Sequence, residues 1–205
     1  MRLFVAVDVG DELRAEAVRA REAIESELRK TCRELPRIIW VAPTALHLTL
    51  RFLGEVDERD LPNVERALAP PLEATPFDVE WRGLGVFPGP RDPRALWIGV
   101  VRGADRLGVL QSEVFQRLSK PGCASPEAEP FLRALGEEAR PFRPHVTLGR
   151  VKSRGEGADW KGTIEAAEIR GARSRVDHVT LFRSTPGPRG PAYTAIVMAP
   201  LTGGR

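Results

Sequence analysis

The chain has 205 residues, 29% charged and 42% hydrophobic, with a formal net charge of +3. That length and balance suit a globular protein with a sizeable core and leave no run of ~18 apolar residues for a membrane span. The short apolar run Leu3–Val7, closed by Asp8, does not read as a secretory leader, which predicts a cytoplasmic protein; Cys32, Cys123 and three histidines are too few and too scattered for a disulfide framework or a zinc cluster, so neither a metal nor another cofactor is expected.

Only four of the 31 basic residues are lysine (Lys30, Lys120, Lys152 and Lys161), leaving 27 arginines. Arginine's planar fork suits phosphate, although a chain this rich in Ala, Gly and Pro also fits a compositional bias toward Arg.

In chain order, Leu3 to Val9 reads as a strand. A helix is predicted over Asp11 to Arg29, with Leu13, Ala17, Ala20, Ile24 and Leu28 on one stripe. Ile38 to Phe52 reads as a strand interrupted at Pro43. A short helix follows over Asp60 to Leu68, with Pro62 tolerated in its first turn. Phe77 to Phe87 and Ala95 to Val101 read as two strands around a turn of Pro, Gly and Arg. A second amphipathic helix spans Asp105 to Leu118. Residues 119–140 are irregular. Strands are then predicted near Pro144 to Val151, Thr163 to Ile169, Val176 to Ser184 and Tyr193 to Met198, with 187–191 as the last turn. Strand pairs joined by short turns favour an α+β fold with antiparallel sheets over a doubly wound parallel one. No linker divides the chain, so residues 1–205 read as one domain. Neither GxGxxG nor a P-loop is present.

All three histidines open the same tetrapeptide: His47-Leu48-Thr49-Leu50, His145-Val146-Thr147-Leu148 and His178-Val179-Thr180-Leu181. In a strand, residues i and i+2 share a face, so each His stands beside its Thr while the aliphatic positions anchor in a core. Two such strands facing one another would surround an anion with two imidazoles and two hydroxyls. That set suits phosphodiester chemistry without a metal. A neutral His takes a proton from the nucleophile, a protonated one gives a proton to the leaving oxygen, and the hydroxyls hydrogen-bond the non-bridging oxygens. One copy alone would be weak, since Thr and Leu are common in strands. An acid and a base need only two copies, so one of the three is surplus.

The surroundings choose between them. Arg37-Ile38-Ile39-Trp40 through Leu53-Gly54-Glu55, and Arg140-Pro141-Phe142-Arg143-Pro144 through Gly149-Arg150-Val151, resemble the 2H phosphoesterase superfamily, and within it the RNA 2′,3′-cyclic phosphodiesterases also called 2′-5′ RNA ligases. Arg2-Leu3-Phe4-Val5-Ala6-Val7, Gly83 through Pro88, Leu96 through Val100 and Leu181-Phe182-Arg183-Ser184 carry the resemblance across nearly the whole chain. It implies two pseudo-symmetric α+β lobes, each giving one HxTx strand to a central cleft. It implies that His47 and His145 are catalytic and that Thr49, Thr147 and Arg150 bind substrate; it suggests His47 as acid and His145 as base, an order the residues by themselves leave open. It gives Phe52 the part of a base-stacking residue. His178 is then the surplus copy.

Simple alternation disagrees with part of this. It puts Arg51 and Arg143 on the histidine faces and turns Phe52 and Arg150 away, unless a bulge near Gly54 or Gly149 intervenes. Trp97 reads as core and Trp40 as a wall of the cleft. The implied activity is hydrolysis of a 2′,3′-cyclic phosphate at an RNA end to a 2′-phosphate, with the reverse 2′-5′ ligation permitted. The implied partner is RNA or an oligonucleotide bearing that end, with no membrane and no metal, handled by a monomer. The alternatives are a phosphodiesterase for small 2′-5′ or cyclic nucleotides, and a nucleotide- or RNA-binding module without catalysis.

Overall fold

A computed structural model describes residues 1–120, 141–187 and 190–203. Most of the expected irregular stretch 119–140, Cys123 and part of the final turn lie outside the described residues. The strands are β1 (Arg2–Val7), β2 (Ile38–Trp40), β3 (Leu48–Glu55), β4 (Phe77–Phe87), β5 (Ala95–Arg102), β6 (His145–Val151), β7 (Ala172–Val176), β8 (His178–Thr185) and β9 (Ala192–Pro200). The α-helices are α1 (Gly10–Thr31), α2 (Leu61–Leu68), α3 (Ala104–Leu118) and α4 (Trp160–Ala166).

These strands form two antiparallel sheets, ordered β3-β1-β8-β9 and β2-β6-β5-β4-β7. The α+β reading holds, and the two motif strands fall one to each sheet. The two lobes share a registry. Phe4 of β1 lies between Phe52 on β3 and Phe182 on β8. Its counterpart Ala95 of β5 lies between Arg150 on β6 and Phe87 on β4.

The lobes are tied together by exchanged helices. Helix α1 follows β1 of the first sheet but packs on β7 of the second; α3 follows β5 of the second sheet but packs on β3 of the first. The apolar stripe Leu13, Ala17, Ala20, Ile24 and Leu28 is buried, as the periodicity predicts. Two carboxylates on the same helix finish the edge of the second sheet, where an unpaired strand would leave backbone donors idle. Glu12 accepts from the N–H of Arg173 at 3.0 Å, and Glu16, only 1% exposed, accepts from that of Arg170 at 2.6 Å. Inside that sheet the Trp81 indole donates to the Ser174 hydroxyl at 2.7 Å.

Three local expectations are corrected. The single strand from Ile38 to Phe52 is two strands in different sheets, because the turn Pro43–Ala45 carries the chain from β2 across to β3. Thr163 to Ile169 is not a strand. The Asp159 carboxylate caps the Gly162 N–H at 2.9 Å and buried Trp160 anchors the first turn of α4, signals a window starting at Thr163 misses. The stretch before Val176 holds an additional strand, β7, whose alternating pattern is short.

The feature that places the site is a bulge repeated in both lobes. On β3, Thr49 pairs with Ala6 and Arg51 with Val5, leaving Leu50 as the extra residue. On β6, Thr147 pairs with Trp97 and Gly149 with Leu96, leaving Leu148 as the extra residue. Each extra leucine is buried together with the residue after it, and the following position turns back to the outer face. Gly149 thereby points into the core, where an added Cβ would come within 2.9 Å of Trp40 Cε3 and 3.0 Å of Ile38 Cγ2. Gly149→Ala should cost roughly 1–3 kcal/mol, the usual range for overpacking, read as a lower urea midpoint at unchanged slope. An unchanged midpoint would mean β2 is not seated against this bulge.

Candidate active site

His47 sits just ahead of β3 and His145 opens β6, and these two strands lie against one another where the sheets meet. Their rings are held in the same way. His47 Nδ1 lies 2.9 Å from the carbonyl oxygen of Ala45, and His145 Nδ1 lies 2.6 Å from that of Arg143. A carbonyl oxygen only accepts, so in both rings Nδ1 carries the hydrogen and donates. Nε2 of each neutral imidazole is then the atom left to take or give a proton.

Aromatic rings wall both imidazoles. Around His47 stand Phe4 at 4.7 Å, Phe182 at 6.5 Å and Tyr193 edge-on at 5.1 Å. Around His145 stand Phe87, edge-on at 5.0 Å, and Trp97 at 6.4 Å. Burial among these neighbours lowers the pKa of His47 below the usual imidazole value, and the hydrogen bond to Ala45 recovers only part of the loss. His47 therefore enters as a neutral ring whose imidazolium is a stronger acid than an ordinary one.

Thr49 and Thr147 are half-buried on the histidine faces, between the buried pairs Leu48/Leu50 and Val146/Leu148. The paired bulges resolve the parity conflict in favour of Phe52 and Arg150. Phe52 is 56% exposed, and its ring lies 6.0 Å from that of Phe4, which stands 4.7 Å from the His47 ring. Arg150 is exposed on the face of Thr147, and its charge reaches Tyr193 of the other sheet, opposing the rise that burial causes in the tyrosine pKa.

Arg51 is corrected. It shares the side of the extra Leu50, is 6% exposed, and lies over the Phe115 ring at 5.1 Å. Arg143 is exposed, and its carbonyl oxygen holds the His145 ring. The two tryptophans exchange places relative to expectation. Trp97 pairs with Thr147 and so lies on the cleft face above Gly85, while Leu96 and Ile98 carry the core. Trp40 pairs with the inward-facing Gly149 and lies under Arg21 of α1, away from the cleft. His178 opens β8, and its Nδ1 pairs with Asp177; neither aromatic cluster includes it. Tyr193 is the cleft residue that sequence reasoning misses as a site. In the sequence it reads only as the start of a late strand, and nothing local reveals that β9 brings it edge-on to His47.

The 2′-5′ RNA ligase superfamily model matches residues 9–188. The chain belongs to this superfamily. It is 32% identical over 205 residues to the RNA 2′,3′-cyclic phosphodiesterase of Thermotoga maritima, covering 100% of this chain and 97% of that one. It is 33% identical over 198 residues to the protein of the same name from Methanothermobacter thermautotrophicus, covering 95% of both. A crystal structure of a Thermus thermophilus protein superposes with a TM-score of 0.74 at 30% identity, over 100% of this chain and 99% of that one. The apo form of Escherichia coli LigT shares the fold at 24% identity, with a TM-score of 0.65 over 98% of this chain and 97% of that one.

A histidine with a lowered pKa would respond to an anion placed beside it. A bound anion favours the imidazolium and raises its pKa, so binding must draw in a proton. Sulfate, which exchanges no proton of its own near neutrality, should bind with uptake of up to about one proton just above the ordinary imidazole pKa of ~6.5. Calorimetry in buffers of different ionisation enthalpy measures this, and His47→Gln should take up less. Binding with no exchange, or with release, would contradict the placement of His47 in the anion site.

Proposed function

We propose that the chain acts as one domain, residues 1–205, and as a cytoplasmic monomer, opening 2′,3′-cyclic phosphate ends of RNA to 2′-phosphates with His47 and His145 as its acid and base. The observation that carries this reading is the matched pair of imidazoles, each with Nδ1 fixed on a carbonyl two residues back and each beside a threonine. The names of the relatives at 32% and 33% identity support the substrate.

His145 Nε2 removes a proton from water as the oxygen attacks phosphorus. The P–O3′ bond breaks, and the imidazolium of His47 delivers its proton from Nε2 to the departing O3′. The product carries a 2′-phosphate and a free 3′-hydroxyl, and each histidine ends in the other's starting protonation state. Thr49 and Thr147 donate to the non-bridging oxygens as charge builds on them, and Arg150 adds a fixed positive charge. Phe52 offers its exposed ring to the terminal base. The lowered pKa of His47 suits the acid role, because the anionic substrate supplies the countercharge that protonates it and its imidazolium then gives the proton up readily. With an RNA 5′-hydroxyl in place of water as the nucleophile, the same steps break P–O3′ and make a 2′-5′ linkage; the abundance of water makes hydrolysis the default outcome.

No step calls for a metal. Among the described residues no group of three or more His, Cys, Asp or Glu is placed to hold one.

The test is end-group analysis of a cyclic-phosphate RNA incubated in EDTA. Wild-type protein should yield a 2′-phosphate, with a bell-shaped pH–rate profile. His47→Gln and His145→Gln should each lose on the order of 10²–10⁴ in rate while remaining folded. His178→Gln should stay within a few-fold of wild type. A rate restored only by Mg²⁺ or Mn²⁺, a 3′-phosphate product, or a large loss in His178→Gln with an intact fold would each overturn the assignment.

A further inference from the structure

The two lobes share a registry but not a charge pattern at the ends that follow their motifs. In the first lobe, each cation at this end has a carboxylate. Arg2 lies 3.8 Å from Glu55, the terminal amine 3.6 Å from Glu55, and Arg183 3.8 Å from Glu58. In the second lobe, the matching end carries Arg150 on β6, Lys152 just beyond it and Arg37 just ahead of β2. All three are exposed, and none has a carboxylate partner among the described residues.

The three are placed in order by the backbone. Arg150 pairs with Ile39 across β6 and β2, and the next position along is held by hydrogen bonds from the N–H groups of Lys152 and Ser153 to the Arg37 carbonyl, at 2.7 and 3.4 Å. Arg37 and Lys152 therefore stand opposite one another, one strand repeat of about 6.6 Å beyond Arg150 on the same face. Ile39, 43% exposed, lies across from Arg150 and two residues along β2 from Arg37, and offers an apolar surface for a ribose or base edge. Arg154, also exposed, follows two residues beyond Lys152, and the basic run stops there. Glu34 and Glu156 bridge to one another at the next turn, and Arg33 there lies 3.7 Å from Glu156.

We propose that Arg37 and Lys152 form a short phosphate track that receives the RNA backbone immediately upstream of the cyclic-phosphate nucleotide, so that the strand leaves the cleft over the second lobe. The inference rests on the function proposed above. Two exposed cations on rigid backbone, with no internal countercharge, keep their field for a polyanion. The carboxylates beyond them limit the track to one or two phosphates. The protein therefore distinguishes an RNA end from a free cyclic nucleotide by the phosphate next door, and gains little from a longer chain.

The experiment compares wild type with the Arg37→Gln/Lys152→Gln double variant on a 2′,3′-cyclic mononucleotide and on oligonucleotides of two, three and six residues with the same end. For wild type, kcat/KM should rise from one to three residues and then level. The variant should match wild type on the mononucleotide, and lose roughly tenfold on the trinucleotide, the scale of a charge-assisted hydrogen bond. Equilibrium binding of a trinucleotide ending in a 2′-phosphate is measured in parallel, because it does not depend on turnover. Its log Kd against log salt should become shallower by about 1.4 for the two cations removed from a single strand. Equal losses on mononucleotide and trinucleotide, an unchanged salt slope, or a rate still climbing at six residues would each overturn the track. Failure of wild type to turn over any of these substrates would instead overturn the proposed function, while the binding arm still decides the track.

Discussion

One extra residue after each motif threonine governs what either lobe can present. A regular strand would offer His and Thr to the cleft and then spend the following alternate position on the same face. The bulges at Leu50 and Leu148 change that count. Two successive residues turn inward and are buried, which anchors the strand more firmly than alternation would, and the next residue comes back to the cleft as Phe52 in one lobe and Arg150 in the other. The motif strand is thus fixed by apolar burial on one side while three of its positions stay on the other. Leu48, Leu50, Val146 and Leu148 are each no more than 3% exposed, so the imidazoles stand on a rigid base, which is what proton transfer at a defined distance requires.

Symmetry supplies the parts and asymmetry gives them direction. Both rings are anchored through Nδ1 on a carbonyl two residues back, which fixes the tautomer without a carboxylate partner. The surroundings then diverge. Phe4, Phe182 and Tyr193 dry the first lobe and depress the His47 pKa. The second lobe places a guanidinium where the first places a phenyl ring. An exposed ring on one side and a fixed positive charge on the other give the arrangement a direction. The exchanged helices hold the two sheets in the relation the pair needs, since α1 and α3 each leave one sheet and pack on the other.

Much of this is legible in the residues. The repeated HxTL tetrapeptides announce strands with one apolar face, and their spacing and surroundings single out His47 and His145 over His178. The helical stripes of α1 and α3 are plain because their burial follows one period over many residues. What stays hidden depends on registry between distant strands. Alternation counted along β3 and β6 favours Arg51 and turns Phe52 and Arg150 away, and only the pairing with β1 and β5 reveals the bulges that reverse those three. Trp97 lies in an apolar run that reads as core from either side; its partner Thr147 decides its face. Tyr193 reaches His47 through the order of the first sheet, in which β9 lies two strands away from β1, a neighbourhood that no local pattern encodes.

The claim on which the rest depends is that both motif imidazoles are held through Nδ1 and leave Nε2 free to exchange a proton. Nitrogen NMR of protein carrying ¹⁵N-labelled histidine, with His178→Gln used to assign the third ring, observes this directly. At a pH where the imidazoles are neutral, His47 and His145 should both show a protonated Nδ1 and an unprotonated Nε2. A protonated Nε2 on either neutral ring would contradict the account, because the carbonyl anchor would be missing and the nitrogen facing the substrate would have no lone pair with which to accept a proton.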